Sequence, residues 1–144
     1  MRKTAICWPG MVLFALLGFC QVTTTKQTEN PGFPRVVARI SLWGKTGAIK
    51  PITLFTPKHF GVYRASGVMV VTADTEDPLY GAIICKDGAG AQQLSFGSQG
   101  GVGDWPVGPF VFRDLIGVPI QLSVSAPGYQ TGKYNLFVVI EQIM

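Results

Sequence analysis

The sequence contains few of the residues on which most catalytic centres depend. Its 144 residues include one histidine, three cysteines and only 14% charged residues. No Gly-x-Ser-x-Gly nucleophile motif occurs, and the glycine-rich segment 97–108 lacks the closing Gly-Lys-Ser/Thr of a phosphate-binding loop. These absences argue against a serine hydrolase and against a nucleotide-binding enzyme. We therefore expect a protein that is not an enzyme and that needs no cofactor.

Positive charge is also sparse where a nucleic-acid partner would need it. The formal net charge is +4, but Arg2 and Lys3 supply two of the twelve cations. The other ten are scattered among eight acidic residues and form no run. Because nucleic-acid binding normally requires a clustered basic surface, we expect no nucleic-acid partner.

The N-terminal residues have the layout of a secretory signal. Arg2 and Lys3 precede an apolar run from Met11 to Cys20, and a polar, threonine-rich segment follows. We predict that residues 1–20 are a signal peptide cleaved after Cys20 and that the protein is exported to the periplasm, the cell surface or the medium. Two alternatives stay open: an uncleaved membrane anchor and a buried internal element.

Only Cys85 would remain after cleavage, because Cys7 and Cys20 lie in the predicted signal peptide. An intramolecular disulfide is then impossible, and a zinc site would lack ligands. Cys85 lies within the apolar run Ala82 to Lys86. We interpret it as an unreactive core residue.

The body of the chain reads as β structure. Residues 21–35 are expected to form a polar, proline-containing linker, and residues 36–144 to form one domain. Short runs of β-branched and aromatic residues alternate with Gly and Pro turns, and no helical periodicity with caps occurs. The longest run, Phe60 to Ala73, is expected to be a central strand covered on both faces. The pattern predicts an all-β, jelly-roll-like antiparallel β-sandwich of roughly eight to ten strands.

Two tryptophans and one acidic cluster are the candidate binding residues. We expect Trp105 in an irregular loop over segment 97–108, and Trp43 at the end of the first strand. An exposed Trp can stack on a sugar ring or anchor a protein contact. Asp74, Glu76 and Asp77 are candidate calcium ligands, although a solvated hairpin loop explains them better. His59, beside Phe60, is expected to be a turn or surface residue.

Two segments resemble complement-q and tumour-necrosis-factor-like jelly rolls. In the first, Phe55-Thr-Pro and Gly61-Val-Tyr-Arg-Ala-Ser resemble a turn that leads into a long strand. In the second, Val111 to Val124 resembles a late hairpin, and Tyr134 to Ile140 a closing strand. The layout also resembles small bacterial and phage-encoded proteins of unknown function. The resemblance implies binding rather than catalysis, and a homotrimer packed along the closing and long strands.

Two functions of different class remain open at this point. The first is an exported structural or interaction module that associates with itself, as a homotrimer, through its sheet. The second is a monomeric carbohydrate-binding module with Trp105, Trp43 or exposed tyrosines as its platform. The partner would be a protein or a glycan, and a membrane would be involved only if residues 1–20 are retained. A hydrolase would require paired carboxylates, for which Asp104 and Asp114 are the candidates.

Overall fold

The computed structural model describes residues 21–23, 34–73, 78–126 and 132–144. The predictions for the signal segment 1–20 and for the acidic cluster Asp74, Glu76 and Asp77 lie outside these residues. Within the described ranges there is no helix long and apolar enough to cross a membrane.

All regular structure in these ranges is β-strand. The strands in chain order are β1 (Gln21–Thr23), β2 (Arg35–Lys45), β3 (Ile49–Phe55), β4 (Gly61–Ala73), β5 (Tyr80–Asp87), β6 (Gly90–Gly97), β7 (Gly103–Asp114), β8 (Ile120–Ser125) and β9 (Lys133–Gln142). Every pair of neighbouring strands is antiparallel. The bounds of β4 agree to within one residue with the strand predicted over Phe60 to Ala73.

The strands form two sheets that face each other. One has five strands in the order β1-β2-β9-β4-β7, and the other has four in the order β3-β8-β5-β6. This arrangement confirms the predicted antiparallel β-sandwich. The long strand β4 and the closing strand β9 are neighbours inside the five-stranded sheet, with Met69 opposite Leu136.

The core lies between the two sheets and follows the alternation along each strand. In β4 the inward residues include Tyr63, Met69 and Val71, all buried. In β9 every second residue from Tyr134 to Ile140 is buried. Burying such side chains is the main favourable term for the fold, at about 1.5–3 kcal/mol for each large aliphatic or aromatic side chain.

Two parts of the chain differ from expectation. The predicted linker 21–35 contains β1, which pairs with β2 at the edge of the five-stranded sheet. The predicted irregular segment 97–108 becomes strand at Gly103, so β7 has twelve residues. β7 has one extra residue relative to β4 where Ala65 pairs with Phe110 and Gly67 with Val107, next to the cis Gly108–Pro109 bond. Both differences occur at sheet edges, where irregular or short pairing is tolerated.

Candidate interaction surface

The outward side of the five-stranded sheet carries an apolar surface across its middle strands. Because Val68 lies opposite Phe137 and Ser66 opposite Val139, these residues point away from the core. Val70 and Trp43 lie on the same side, diagonally adjacent to Phe137 in β4 and β2. We call Trp43, Val68, Val70, Phe137 and Val139 the outer patch.

Trp43 and Phe137 form the aromatic centre of the outer patch. Their ring centroids are 4.7 Å apart with an interplanar angle of 80°, an edge-to-face arrangement. Phe137 is half-buried, whereas Trp43 remains 66% exposed. The contact therefore holds a large indole in a defined position on the surface. Such a fixed, exposed aromatic side chain is typical of binding anchors.

Polar interactions lie at both ends of the outer patch. At one end the Arg64 guanidinium forms an ion pair of 2.7 Å with Glu141 across β4 and β9. At the other end the backbone N–H of Gly44 donates to Asn135 Oδ1 at 2.8 Å. The result is an apolar centre with a polar rim, which is the usual anatomy of a protein interface.

Trp105, the other candidate anchor, lies in a different environment. It is on strand β7 rather than in a loop, and it faces Met69, a fully buried residue of β4. Its ring is half-buried against the core, and its indole Nε1 is buried without a hydrogen-bond partner among the described residues. Trp43 is consequently the more accessible of the two for stacking on a ligand.

A buried carboxylate, Asp114, joins the two sheets at the opposite end of β7. Its Oδ1 accepts hydrogen bonds from the N–H groups of Lys86 at 3.0 Å and Leu115 at 2.9 Å. Asp114 is only 1% exposed, and its Oδ2 has no partner in the described part of the chain. Burial raises the pKa of Asp114 despite the two backbone donors, and Asp87 adds to the increase.

The other candidate reactive groups are Cys85 and His59. Burial, with Asp114 and Asp87 nearby, raises the pKa of the Cys85 thiol to about 11, so the thiolate is scarce at neutral pH. His59 is exposed, and its carbonyl accepts a bond from the Tyr63 hydroxyl at 3.2 Å. Among the described residues, no three His, Cys, Asp or Glu side chains cluster to hold a metal ion.

The candidate carboxylate pair of a hydrolase is widely separated. Asp104 is exposed near the start of β7, and Asp114 ends the same strand. Ten residues of extended strand span roughly 33 Å at about 3.3 Å each, whereas paired glycosidase carboxylates lie within about 10 Å. Asp104 and Asp114 therefore do not face each other across one cleft.

Sequence reasoning missed two features of these sites. Val68 and Val70 of β4 were expected to be covered, and both are partly exposed on the outward side of the sheet. Asp114 was considered only as a possible catalytic acid of a hydrolase. It continues the inward alternation of Phe110 and Phe112, and this pattern indicates a buried side chain.

Comparisons with known proteins add little to this picture. No protein-family model matches the chain, and no curated protein matches it. A solved structure titled "Structure of infectious bursal disease virus Gt strain" aligns with 16% identity and a TM-score of 0.39. The alignment covers 77% of this chain and 32% of the viral chain. At this similarity the alignment supports no functional argument.

Proposed function

We propose that this protein is an exported, non-enzymatic structural or interaction module that associates with itself through the outer patch. The observation that carries the proposal is the apolar centre on the outward side of the five-stranded sheet, where Trp43 is 66% exposed and Val68 and Phe137 are partly exposed. An antiparallel sheet with one side in water normally presents polar residues on that side. Association would remove these apolar side chains from water and so supply the driving force.

The homotrimer follows from the resemblance to complement-q and tumour-necrosis-factor-like domains, which implies packing along the closing and long strands. The sheet order supports this choice because β4 and β9 lie side by side and contribute four of the five outer-patch residues. Export rests on the layout of residues 1–20. Mass spectrometry of the N-terminus of the secreted protein tests it, and a first residue other than Gln21 would contradict cleavage after Cys20.

The experiment that tests self-association is sedimentation velocity on the full chain and on two matched variants. Trp43→Glu places a charge at the centre of the outer patch. Ile116→Glu makes the same change at an exposed residue of the β7–β8 turn, away from the patch. Because central aromatic anchors contribute about 2 kcal/mol or more to binding, Trp43→Glu should weaken association by about 30-fold or more.

The expected result is a trimer, or an assembly whose mass is a multiple of the trimer, for the wild type and for Ile116→Glu, and a smaller species for Trp43→Glu. Circular dichroism of all three proteins should be the same, because both positions are exposed. A wild-type protein that stays monomeric at micromolar concentration would refute the proposal.

The alternative, a monomeric carbohydrate-binding module, is favoured by one observation: the Trp43 ring is 66% exposed and held in place by Phe137. An exposed, oriented indole can stack on a pyranose face. A glycan array with wild type and Trp43→Ala tests this function. Binding that disappears in Trp43→Ala would support it, and an array without hits would exclude the glycans that it displays.

A further inference from the structure

The two sheets end in four edge strands, and three of them have features that prevent further strand pairing. β1 is only three residues long. β3 contains Pro51 beside Lys50, and β7 contains Pro106 and Pro109. Short length, proline and charge are the usual ways in which natural proteins protect sheet edges.

The fourth edge, β6, has none of these features. Its eight residues, Gly90–Gly97, contain no proline and no ionisable side chain. It pairs with β5 in an unbroken register from Asp87–Gly90 to Tyr80–Gly97. β5 is its sole strand partner in the described part of the chain, so one side of its backbone is open for pairing. A regular, neutral and open edge is a template for one more strand.

A groove beside β6 shows what such a strand would contact. Its volume is about 470 Å³, and its apolar lining includes Leu94 from β6 and Val111 and Phe112 from β7. Val111 lies opposite Arg64 on the outward side of the five-stranded sheet, so the inward-facing apolar residues of the groove are Leu94 and Phe112. The charges of the groove, Asp87 and Arg113, lie towards the Gly90 end of β6, because Asp87 pairs with Gly90 there.

We propose that β6 is a second interaction surface and that its partner is the β6 strand of a second copy of this chain, paired antiparallel about a twofold axis. Directly opposite residues in an antiparallel pair point to the same face. A register centred on Leu94 therefore places Leu94 against the partner's Leu94 on the groove side. The same register places the outward-facing Gln93 opposite the partner's Ser95. The two four-stranded sheets then form one continuous sheet of eight strands.

Charge favours this antiparallel self-pairing. The paired residues are neutral, so no like charges meet along the strand. The charged ends of the two grooves are separated, because Gly90 and the partner's Gly90 are eight residues apart along the pair. At about 3.4 Å per residue, the separation is roughly 27 Å. A parallel arrangement would instead bring the two Asp87 side chains to the same end.

This surface is distinct from the outer patch, because β6 belongs to the other sheet and is exposed at its edge. Both surfaces can be occupied in one assembly. A twofold contact through β6 would link the proposed trimers into larger assemblies. The inference does not depend on the trimer, since β6 can also pair two isolated copies.

Two double variants test the proposal with the same positions and different charges. Gln93→Lys with Ser95→Lys places lysines opposite each other in the proposed register and should abolish pairing. Gln93→Lys with Ser95→Glu places lysine opposite the partner's glutamate and should preserve pairing. Both residues are exposed in the monomer, so the fold should survive in each, which circular dichroism checks.

Sedimentation velocity on the full chain gives the readout. We expect the Lys/Lys variant to have half the mass of the wild type or less, and the Lys/Glu variant to have the wild-type mass. A wild type with the same mass as the Lys/Lys variant would overturn the proposal. The Trp43→Glu variant distinguishes the two surfaces. If the wild type and the Lys/Lys variant are both trimers, only the proposed β6 contact is refuted. If the wild type and Trp43→Glu are both dimers, only the outer-patch proposal is refuted.

Discussion

The carboxylate of Asp114 provides the most direct test of the energetics of this fold. It connects the end of β5 to the end of β7 through the backbone N–H groups of Lys86 and Leu115. Leu115 N–H also donates to the Lys86 carbonyl at 3.0 Å. Asp114→Ala therefore leaves one donor, the Lys86 N–H, without its partner. An unpartnered buried donor costs about 1–3 kcal/mol, so we expect the free energy of unfolding to decrease by about that amount.

Asp114→Asn should behave differently, because its side-chain oxygen can still accept both hydrogen bonds. The substitution removes the negative charge. Burial disfavours that charge and therefore raises the pKa of Asp114 above its ordinary value of 3.8. At acidic pH, where the wild-type carboxyl is protonated, we expect the two proteins to differ by about 1 kcal/mol or less. The difference at higher pH is the informative quantity.

The sign of the pH dependence follows from proton linkage. Between 3.8 and the raised folded-state pKa, the folded protein holds the Asp114 proton and the unfolded chain has lost it. Folding then binds a proton, so the stability of the wild type falls as the pH rises through this window. The slope from one group is at most about 1.4 kcal/mol per pH unit. Asp114→Asn lacks this loss and should become more stable relative to the wild type as the pH increases.

Urea denaturation of the wild type, Asp114→Asn and Asp114→Ala from about pH 4 to about pH 8 measures these differences. Asp87 and Cys85 are close enough to influence the titration of Asp114 or to be influenced by it, so the same series in an Asp87→Asn background controls for the main neighbouring charge. A wild-type minus Asn difference that stays constant with pH would refute the reasoning. A difference of opposite slope would show that interactions with the charged form outweigh its desolvation.

Two further substitutions and one labelling reaction test the packing. Gly67→Ala should lower stability by about 2 kcal/mol or more in thermal unfolding, because the added methyl group would collide with the backbone carbonyl of Phe137; an unchanged melting temperature would show that β4 and β9 can separate there. Tyr134→Phe should cost about 1 kcal/mol in urea denaturation, since it removes the buried 2.8 Å hydrogen bond to the Gly47 carbonyl; a neutral effect would show that this bond adds no net stability. Cys85 should react with a thiol reagent only as the protein unfolds, because it is buried and burial raises its pKa to about 11; fast labelling of the native protein would contradict its core position.

The strands of the domain could be predicted because their signals are local. Alternation of apolar side chains and glycine or proline turns marks most strand bounds within a few residues, as for β4 and β9. The order of strands in the sheets has no such local signal. β2 pairs with β9 across almost the whole domain, with Arg35 opposite Gln142. Such long-range pairing is decided by the packing of complete faces rather than by any short segment.

The elements missed by sequence reasoning depend on neighbours for their stability. β1 has three residues and could not be recognised from its own pattern, because its pairing partners are supplied by Arg39, Ile40 and Ser41 of β2. The first half of β7 contains glycine and proline, which usually indicate a loop. It remains a strand because it lies at the sheet edge, where one side of the backbone needs no partner.

The apolar residues on both faces of β9 illustrate how far a sequence pattern can lead. The pattern alone allows two explanations, a strand in the middle of a sheet or a strand that also contacts another subunit. β9 does lie between β2 and β4, and its inward residues Tyr134 to Ile140 are fully accounted for by the core. A central position does not require Phe137 and Val139 on the outward side, because strand pairing uses the backbone and not the outward side chains. Their apolar character, with Trp43 fixed against Phe137, is therefore the feature that the proposed self-association would explain.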